Sequence, residues 1–306
     1  IEVRDCFFND ATNWGGGGHG YGVEFGFHTT DCLVVNNIFK HLRHSMMVHV
    51  GANGNVFAYN FSMEPFQSEG GEWTPCDISI HGHYPYHNLF EGNIVNEIGI
   101  ADYWGPAGPN NTYFRNAVLA EDIYAEDSSQ YQNIIGNYIE PGTFSYDRDT
   151  RWPANIDLST YILHGNRYDG QINWDPANTD HSLPASYYYS SKPSFYGALS
   201  WPSVGADVSG GGTNPAKERW LVGNPTPDST LSPTAAPTSA PSSSGDVNGN
   251  GTIDIVDALL VAQYYVGLNP AGFNEAEADV NCNGSVDIVD ALLIAQYYVG
   301  LIDRFC

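Results

Sequence analysis

A six-residue phrase that opens and closes on asparagine recurs along the N-terminal part of the chain, as Asn55-Val-Phe-Ala-Tyr-Asn60, Asn88-Leu-Phe-Glu-Gly-Asn93 and Asn111-Thr-Tyr-Phe-Arg-Asn116. A shorter Asn133-Ile-Ile-Gly-Asn137 continues it, and Val34-Val-Asn-Asn37 and His164-Gly-Asn166 are outlying members. The closing asparagines fall at 37, 60, 93, 116, 137 and 166, so successive intervals run from 21 to 33 residues. Periods of that size belong to solenoids, in which each repeat is one coil that buries its apolar residues against its neighbours. Each phrase sets an apolar pair in a short strand and then an asparagine at a sharp bend. Asparagine tolerates left-handed backbone, and its amide can bond the next asparagine one coil away. Short strands, abundant Gly and Asn, and the lack of a convincing amphipathic helix within 1–222 point to an all-β right-handed parallel β-helix, with coils about 4.8 Å apart. A β-sandwich, with turns every eight to twelve residues, fits these intervals worse.

A second repeat, of a different kind, lies near the end. Asp246 to Leu268 and Asp279 to Leu301 differ only at Gly249/Cys282, Thr252/Ser285, Ile253/Val286 and Val261/Ile294. Each copy opens with a twelve-residue loop that spaces oxygen ligands as calcium requires. Asp246, Asn248, Asn250, Asp254 and Asp257 occupy loop positions 1, 3, 5, 9 and 12, with Gly251 at the position 6 turn. The second loop repeats the set as Asp279, Asn281, Asn283, Asp287 and Asp290, with Gly284 at the turn. The carbonyl of Thr252 or Ser285 and water complete six or seven oxygens, so two calcium ions are expected here. Each loop runs into an apolar helix stopped by Gly267 or Gly300, and no entering helix precedes either loop.

Paired half EF-hands with Asp rather than Glu at position 12, within about sixty residues, resemble the type I dockerin family over Gly245 to Leu301. The resemblance implies a small all-α module that docks on a cohesin of a scaffolding protein, as in cellulosomes, and therefore an extracellular, secreted protein. Family contacts at loop positions 10 and 11 fall here on Ile255-Val256 and Ile288-Val289, an apolar pair where many members carry hydroxyls. Two helices apolar on several faces cannot bury all their surface in so small a domain, which also asks for a partner.

The wording of the large domain, in Asn36-Asn-Ile-Phe-Lys-His-Leu-Arg-His44, Gly51-Ala-Asn-Gly-Asn-Val-Phe57, His81-Gly-His83 and Asn88-Leu-Phe-Glu-Gly-Asn-Ile94, resembles β-helix proteins of the pectate lyase-like superfamily over Val23 to Trp220. Lyases and hydrolases share that scaffold, and neither a recognised pectate lyase signature nor a polygalacturonase aspartate pair is present, so fold alone does not name the chemistry. The Tyr, Pro and Trp-rich stretch from Asp180 to Pro202 is expected to wrap back as a cap or outer layer over the last coils, with its aromatics either buried or lining a sugar platform.

Strand alternation supplies the candidate site. In Asp77-Ile-Ser-Ile-His81 it turns Ile78 and Ile80 inward and leaves Asp77, Ser79 and His81 outward; in Met46-Met-Val-His-Val50 it sends His49 outward. The register adds Glu24 on the preceding coil and Asp102 on the following one, with Tyr124 or Glu126 beyond and His41, Arg43, His44, His83 and His87 at the flanks. A groove along parallel strands suits an extended plant or microbial polysaccharide. The ladder admits four readings. In one, His81 or His49 is the base of a β-elimination, Arg43 or Arg115 neutralises a uronate and a further calcium assists. In another, Asp77 and Asp102 form the acid and base of a glycoside hydrolase. In a third, His81, His83 and His87 bind a transition metal. In the last, the histidines are stacked structural groups. A non-catalytic polysaccharide-binding or structural β-helix, displayed by the dockerin-like module, is the alternative to an enzyme.

Thirty-five acidic residues against 11 basic ones give a formal net charge of -24, which argues against nucleic acid and anionic membrane surfaces as partners. No apolar run is long enough to span a bilayer. The chain begins at Ile1 inside a strand-like pattern, which reads as a mature or partial chain. The expected division is a β-helix over 1–223, a Pro/Ser/Thr linker over 224–244 and a dockerin-like domain over 245–306. Five cysteines are too few to carry the fold, and Cys282 and Cys306 are placed to pair.

Overall fold

A computed structural model describes the 306-residue chain except residues 16–17, 71–73, 102–103, 147–154, 224–244, 299–301, 303 and 306. The linker therefore lies outside the described residues. The chain divides into two compact units, one up to Thr230 and one from Leu231.

The first unit is a parallel β-helix. Its strands fall into sheets of seven, eight and six, and strand pairing within each is parallel throughout except for one terminal hairpin, Asn166–Tyr168 with Gln171–Asn173. One strand from each sheet makes a coil, so Glu2–Arg4, Phe7–Asn9 and Tyr21–Phe25 form the first, Leu33–Val35, Ile38–Lys40 and His44–Val48 the second, and Val56–Ala58, Phe61–Met63 and Ile78–Ile80 the third. Like side chains stack from coil to coil in the interior. Phe57, Phe90 and Tyr113 lie in register, with ring centroids 5.1 and 5.3 Å apart and planes 12° and 6° from parallel.

Each asparagine phrase holds one strand of the first sheet and ends at the corner into the second, and the closing asparagines form a continuous ladder. Asn93 Oδ1 accepts from the backbone N of Asn60 (3.0 Å) and from its Nδ2 (2.9 Å), while Asn93 Nδ2 donates to Asn116 Oδ1 (3.0 Å) and to Phe57 O (2.8 Å). The same bonds link Asn37 to Asn60, Asn116 to Asn137 and Asn137 to Asn166. The left-handed residue is the one before the ladder, not the asparagine as expected: Asn36, Tyr59, Gly92, Arg115, Gly136 and Gly165 all have φ between +52° and +67°. The opening asparagines form a second ladder, Asn55 to Asn88 to Asn111, that continues into Gln132. The shortened phrase is thus full length and starts at Gln132, with Asn133 paired to Thr112 inside the strand.

Beyond the last coil the chain does not merely cap the end. It returns as a strap along the column of left-handed corners and supplies donors to carbonyls exposed there. Ala206 N donates to Gly136 O (2.8 Å), and Asn214 Nδ2 to Asn60 O (3.0 Å) and Gly92 O (3.1 Å). The guanidinium of Arg115 grips Asp207 (2.6 and 3.0 Å) and Pro184 O (2.7 Å), and the buried Glu91 accepts from Tyr187 N (2.7 Å) and the Tyr59 hydroxyl (2.7 Å). Tyr196 is buried against Val35, Ala58 and Tyr59, so the strap packs on early coils. It ends in helix α1 (Pro215–Leu221), capped by Asn214, where Arg219 donates to the side-chain and backbone oxygens of Asn36 (2.7 Å each) and Trp220 packs on Phe7 of the first coil.

In the second unit each loop leads into a helix, α2 (Ile255–Tyr265) and α3 (Ile288–Tyr298). They bury Val247, Ala258, Val261, Val280, Ala291 and Ile294 together. Gly267 ends α2 with φ +81°, whereas Gly300 lies outside the described residues. Cys282 is disulfide-bonded; its expected partner Cys306 lies outside the described residues, and Cys6, Cys32 and Cys76 are free.

Candidate functional site

On the outer side of the third sheet, pairing of Phe25 with Val48, Val48 with Ile80 and Ile80 with Ile100 brings Gly26, His49, His81 and Ala101 into one column. The His49 and His81 rings, on adjacent coils, stand 6.5 Å apart between centroids. Glu24 reaches across from the first coil to put Oε1 2.7 Å from His49 Nε2. Gly26 makes the approach possible, because a Cβ there would lie 2.1 Å from His49 Nε2.

Tyr21 and His44 close the cluster at its side. Their ring centroids are 5.3 Å apart, and they lie 6.2 and 6.0 Å from His81. His44 is buried, with Nδ1 2.8 Å from Cys76 O, so that nitrogen carries its proton toward the carbonyl. A cavity of about 580 Å³ adjoins Tyr21 and Glu24 and is lined further by Phe8, Asp10, Asn13 and His19. Burial lowers the pKa of His49, outweighing the raising effect of Glu24, and His81 and His83 push it the same way as burial. A neighbouring carboxylate alone would predict the opposite direction; desolvation wins because the imidazole is mostly covered.

The other predicted residues are placed differently. Asp77 is not outward. It is fully buried at the corner before its three-residue strand begins, where its carboxylate accepts from the Ser62 hydroxyl (2.5 Å) and the backbone N of Asn96 (2.7 Å) and Glu97 (3.1 Å). Burial pushes its pKa up against those donors. Asp102 lies outside the described residues, so the predicted acid and base pair has one buried member and one undescribed. Arg43 is beside the cluster but engaged, donating to Tyr21 Oη (3.1 Å) and the Glu69 carboxylate (3.3 Å), and Arg115 serves the strap. His87 Nε2 meets Asn110 Nδ2 (3.0 Å) and the exposed His83 stacks on Trp104, so the predicted histidine triad is dispersed. Among the described residues no three of His, Cys, Asp and Glu converge to hold a metal. The face is also more closed than alternation implies. Met47 and Ser79 point outward yet are buried, and Tyr124 crosses Gly99 to reach Cys76, whose thiol burial pushes up to about 12.

The two C-terminal loops share the same main hydrogen bonds. Asp246 accepts from Asn250 N (3.1 Å) and Gly251 N (2.9 Å), as Asp279 does from Asn283 N (3.1 Å) and Gly284 N (2.9 Å). The twelfth residue closes the ring. Asp257 accepts from Asn248 N (3.1 Å) and Asp254 N (2.9 Å), and Asp290 from Asn281 N (3.2 Å) and Asp287 N (2.9 Å). Asp257 is buried, and its pKa is raised by that burial and by the charges of Asp254 and Asp246. The negative charge that Asp246 and Asp254 add around the buried Asp257 is what a hard cation would offset.

The family model for the dockerin type I domain matches residues 244–298. The chain carries a type I dockerin domain. Type I dockerins are calcium-binding modules, and this one implies a cohesin partner and cellulosome-type anchoring. Ile255, Val256, Ile288 and Val289 stand exposed in the first turns of α2 and α3. Leu259 and Leu292, one turn on, are exposed as well and widen each apolar face; their spacing of four residues from Ile255 and Ile288, and three from Val256 and Val289, is the sequence signal that places them there. Neither a curated protein nor a solved structure matches the chain. No described helix is long and apolar enough to cross a membrane.

Proposed function

We propose that this protein is a secreted, carbohydrate-active β-helix carried on a scaffold. In the dockerin, Asp246, Asn248, Asn250, Asp254 and Asp257 with the Thr252 carbonyl hold one calcium ion, and Asp279, Asn281, Asn283, Asp287 and Asp290 with the Ser285 carbonyl hold a second. The ions neutralise the clustered carboxylates and fix the loops, and Ile255, Val256, Ile288 and Val289 meet the cohesin.

The observation that carries the β-helix reading is the placement of Glu24, His49 and His81 on three adjacent coils. With its pKa lowered, His49 is neutral near pH 7 and can take a proton from water or a sugar hydroxyl. Glu24 then stabilises the imidazolium that forms, and the gap between the two rings is one that a water or hydroxyl can bridge. Assay of the full chain on a polysaccharide panel, following reducing ends and unsaturated uronates, tests this. His49→Ala is expected to cut turnover by about 100-fold. Wild-type turnover in that variant would remove the catalytic assignment, and binding without turnover by the native chain would leave a non-catalytic β-helix displayed by the dockerin.

A further inference from the structure

The histidine pair does not stand alone on its face. Phe27 lies 5.9 Å from His49 and Trp104 lies 6.4 Å from His81, centroid to centroid, so Phe27, His49, His81 and Trp104 form a row of four rings that follows the coils. The two ends of the row are exposed, Phe27 at 81% and Trp104 at 46%. A buried aromatic needs no explanation, but two exposed ones flanking a polar pair offer apolar faces of the size a pyranose ring presents. The backbone makes room for the row. A Cβ on Gly82 would lie 2.6 Å from Trp104 C and 2.7 Å from its Cβ, and the gap at Gly26 admits His49.

Among the described residues, an acid stands near each end of the row. Glu24 sits beside His49, and Asp127 Oδ2 lies 3.9 Å from where a Cβ on Gly105, next to Trp104, would be. The nearest guanidinium in the cluster, Arg43, is already bonded to Glu69 and Tyr21. A polyuronate brought onto this row would set its carboxylates against these acids in a protein of net charge -24.

Resting on the catalytic reading above, we infer that the row binds an uncharged polysaccharide, with sugar rings stacked on Phe27 and Trp104 and the chain held across His49 and His81. An uncharged chain has no uronate carboxylate to acidify the hydrogen removed in β-elimination, so the inference also selects hydrolysis: water bonds to the anomeric carbon as its proton passes to His49, the bond from that carbon to the glycosidic oxygen breaks, and the departing oxygen takes a proton from solvent.

Titration of the full chain with a neutral hexasaccharide, an oligogalacturonate and a glucosamine oligosaccharide, followed by calorimetry and tryptophan fluorescence, tests it. The neutral sugar is expected to bind and to perturb the fluorescence; Phe27→Ala and Trp104→Ala should each weaken it roughly tenfold, and Trp104→Phe should retain most of the affinity. Tighter binding of either charged oligosaccharide overturns the inference, as does native affinity in both alanine variants. Should Trp104→Ala fail to fold, Phe27→Ala decides alone, because that ring is exposed. The two readings fail separately: oligogalacturonate cleavage that is lost in His49→Ala keeps the site and removes the neutral substrate, whereas full turnover in His49→Ala with aromatic-dependent neutral binding does the reverse.

Discussion

Asparagine does opposite work in the two halves of this chain. In the β-helix the ladder asparagines are buried, and both ends of each amide are consumed by protein partners on neighbouring coils. In the dockerin, Asn250 and Asn283 are exposed, and their Oδ1 atoms accept only from residues two positions on. The ladder is complete without an ion. In the loops the charges of Asp246 and Asp254 act on the buried Asp257, and no basic side chain is among the groups that act on it. One residue type is therefore structural where its partner is an identical residue a coil away, and a proposed calcium ligand where its neighbours in sequence are carboxylates.

Calcium removal should separate the halves most sharply. Chelation is expected to abolish the helical circular dichroism of α2 and α3 and cohesin binding together, while the thermal transition of the β-helix stays in place; an unchanged spectrum in excess chelator would erase the distinction. Next in size is the docking surface. Charged replacements at Ile255-Val256 or at Ile288-Val289 alone should leave substantial cohesin binding, and both together should eliminate it, because the loops and first turns are duplicates; complete loss from one pair would show that only one copy docks.

Within the β-helix, Asn93→Ala removes one rung and takes from the Asn60 backbone N–H and the Phe57 carbonyl their Asn93 partner, while Asn60 Nδ2 keeps its bond to Val34 O, at a cost of about 4 kcal/mol in chemical denaturation. Asn250→Ala should leave that transition unmoved and weaken calcium binding instead. A small loss in the first variant would mean that water replaces the rung. The smallest effect is in the pH profile. His49 acts as a base only when neutral, and burial lowers its pKa from 6.5, so kcat/KM should rise with pH and reach half its plateau below 6.5. Glu24→Gln removes a raising interaction and should move that midpoint lower still; an upward move would assign the limb to another group.

The coil period, the Asn93-type ladder and the calcium loops were legible because each is a pattern in sequence spacing. The adjacency of His49 and His81 was legible for the same reason. Asp77 was misread because alternation holds only inside a strand, and the strand here begins at Ile78. The burial of Met47 and Ser79 was invisible because facing outward was equated with reaching solvent, although Tyr124 and Cys76 fill that side of the sheet. The ring row depends on missing Cβ atoms at Gly26 and Gly82, and a glycine in sequence does not say which neighbour will occupy its space.

The strap also determines where this protein would yield under load. A pull arriving through the linker enters at the end of α1, and α1 is fastened to Asn36 on the second coil and Phe7 on the first. Tension therefore does not peel the last coil away rung by rung. It must first break the two Arg219 bonds and the Trp220 contact, then the Asn214 bonds to Asn60 and Gly92, before the final coils feel it. A load on the tether is thereby delivered to the first coils before the last.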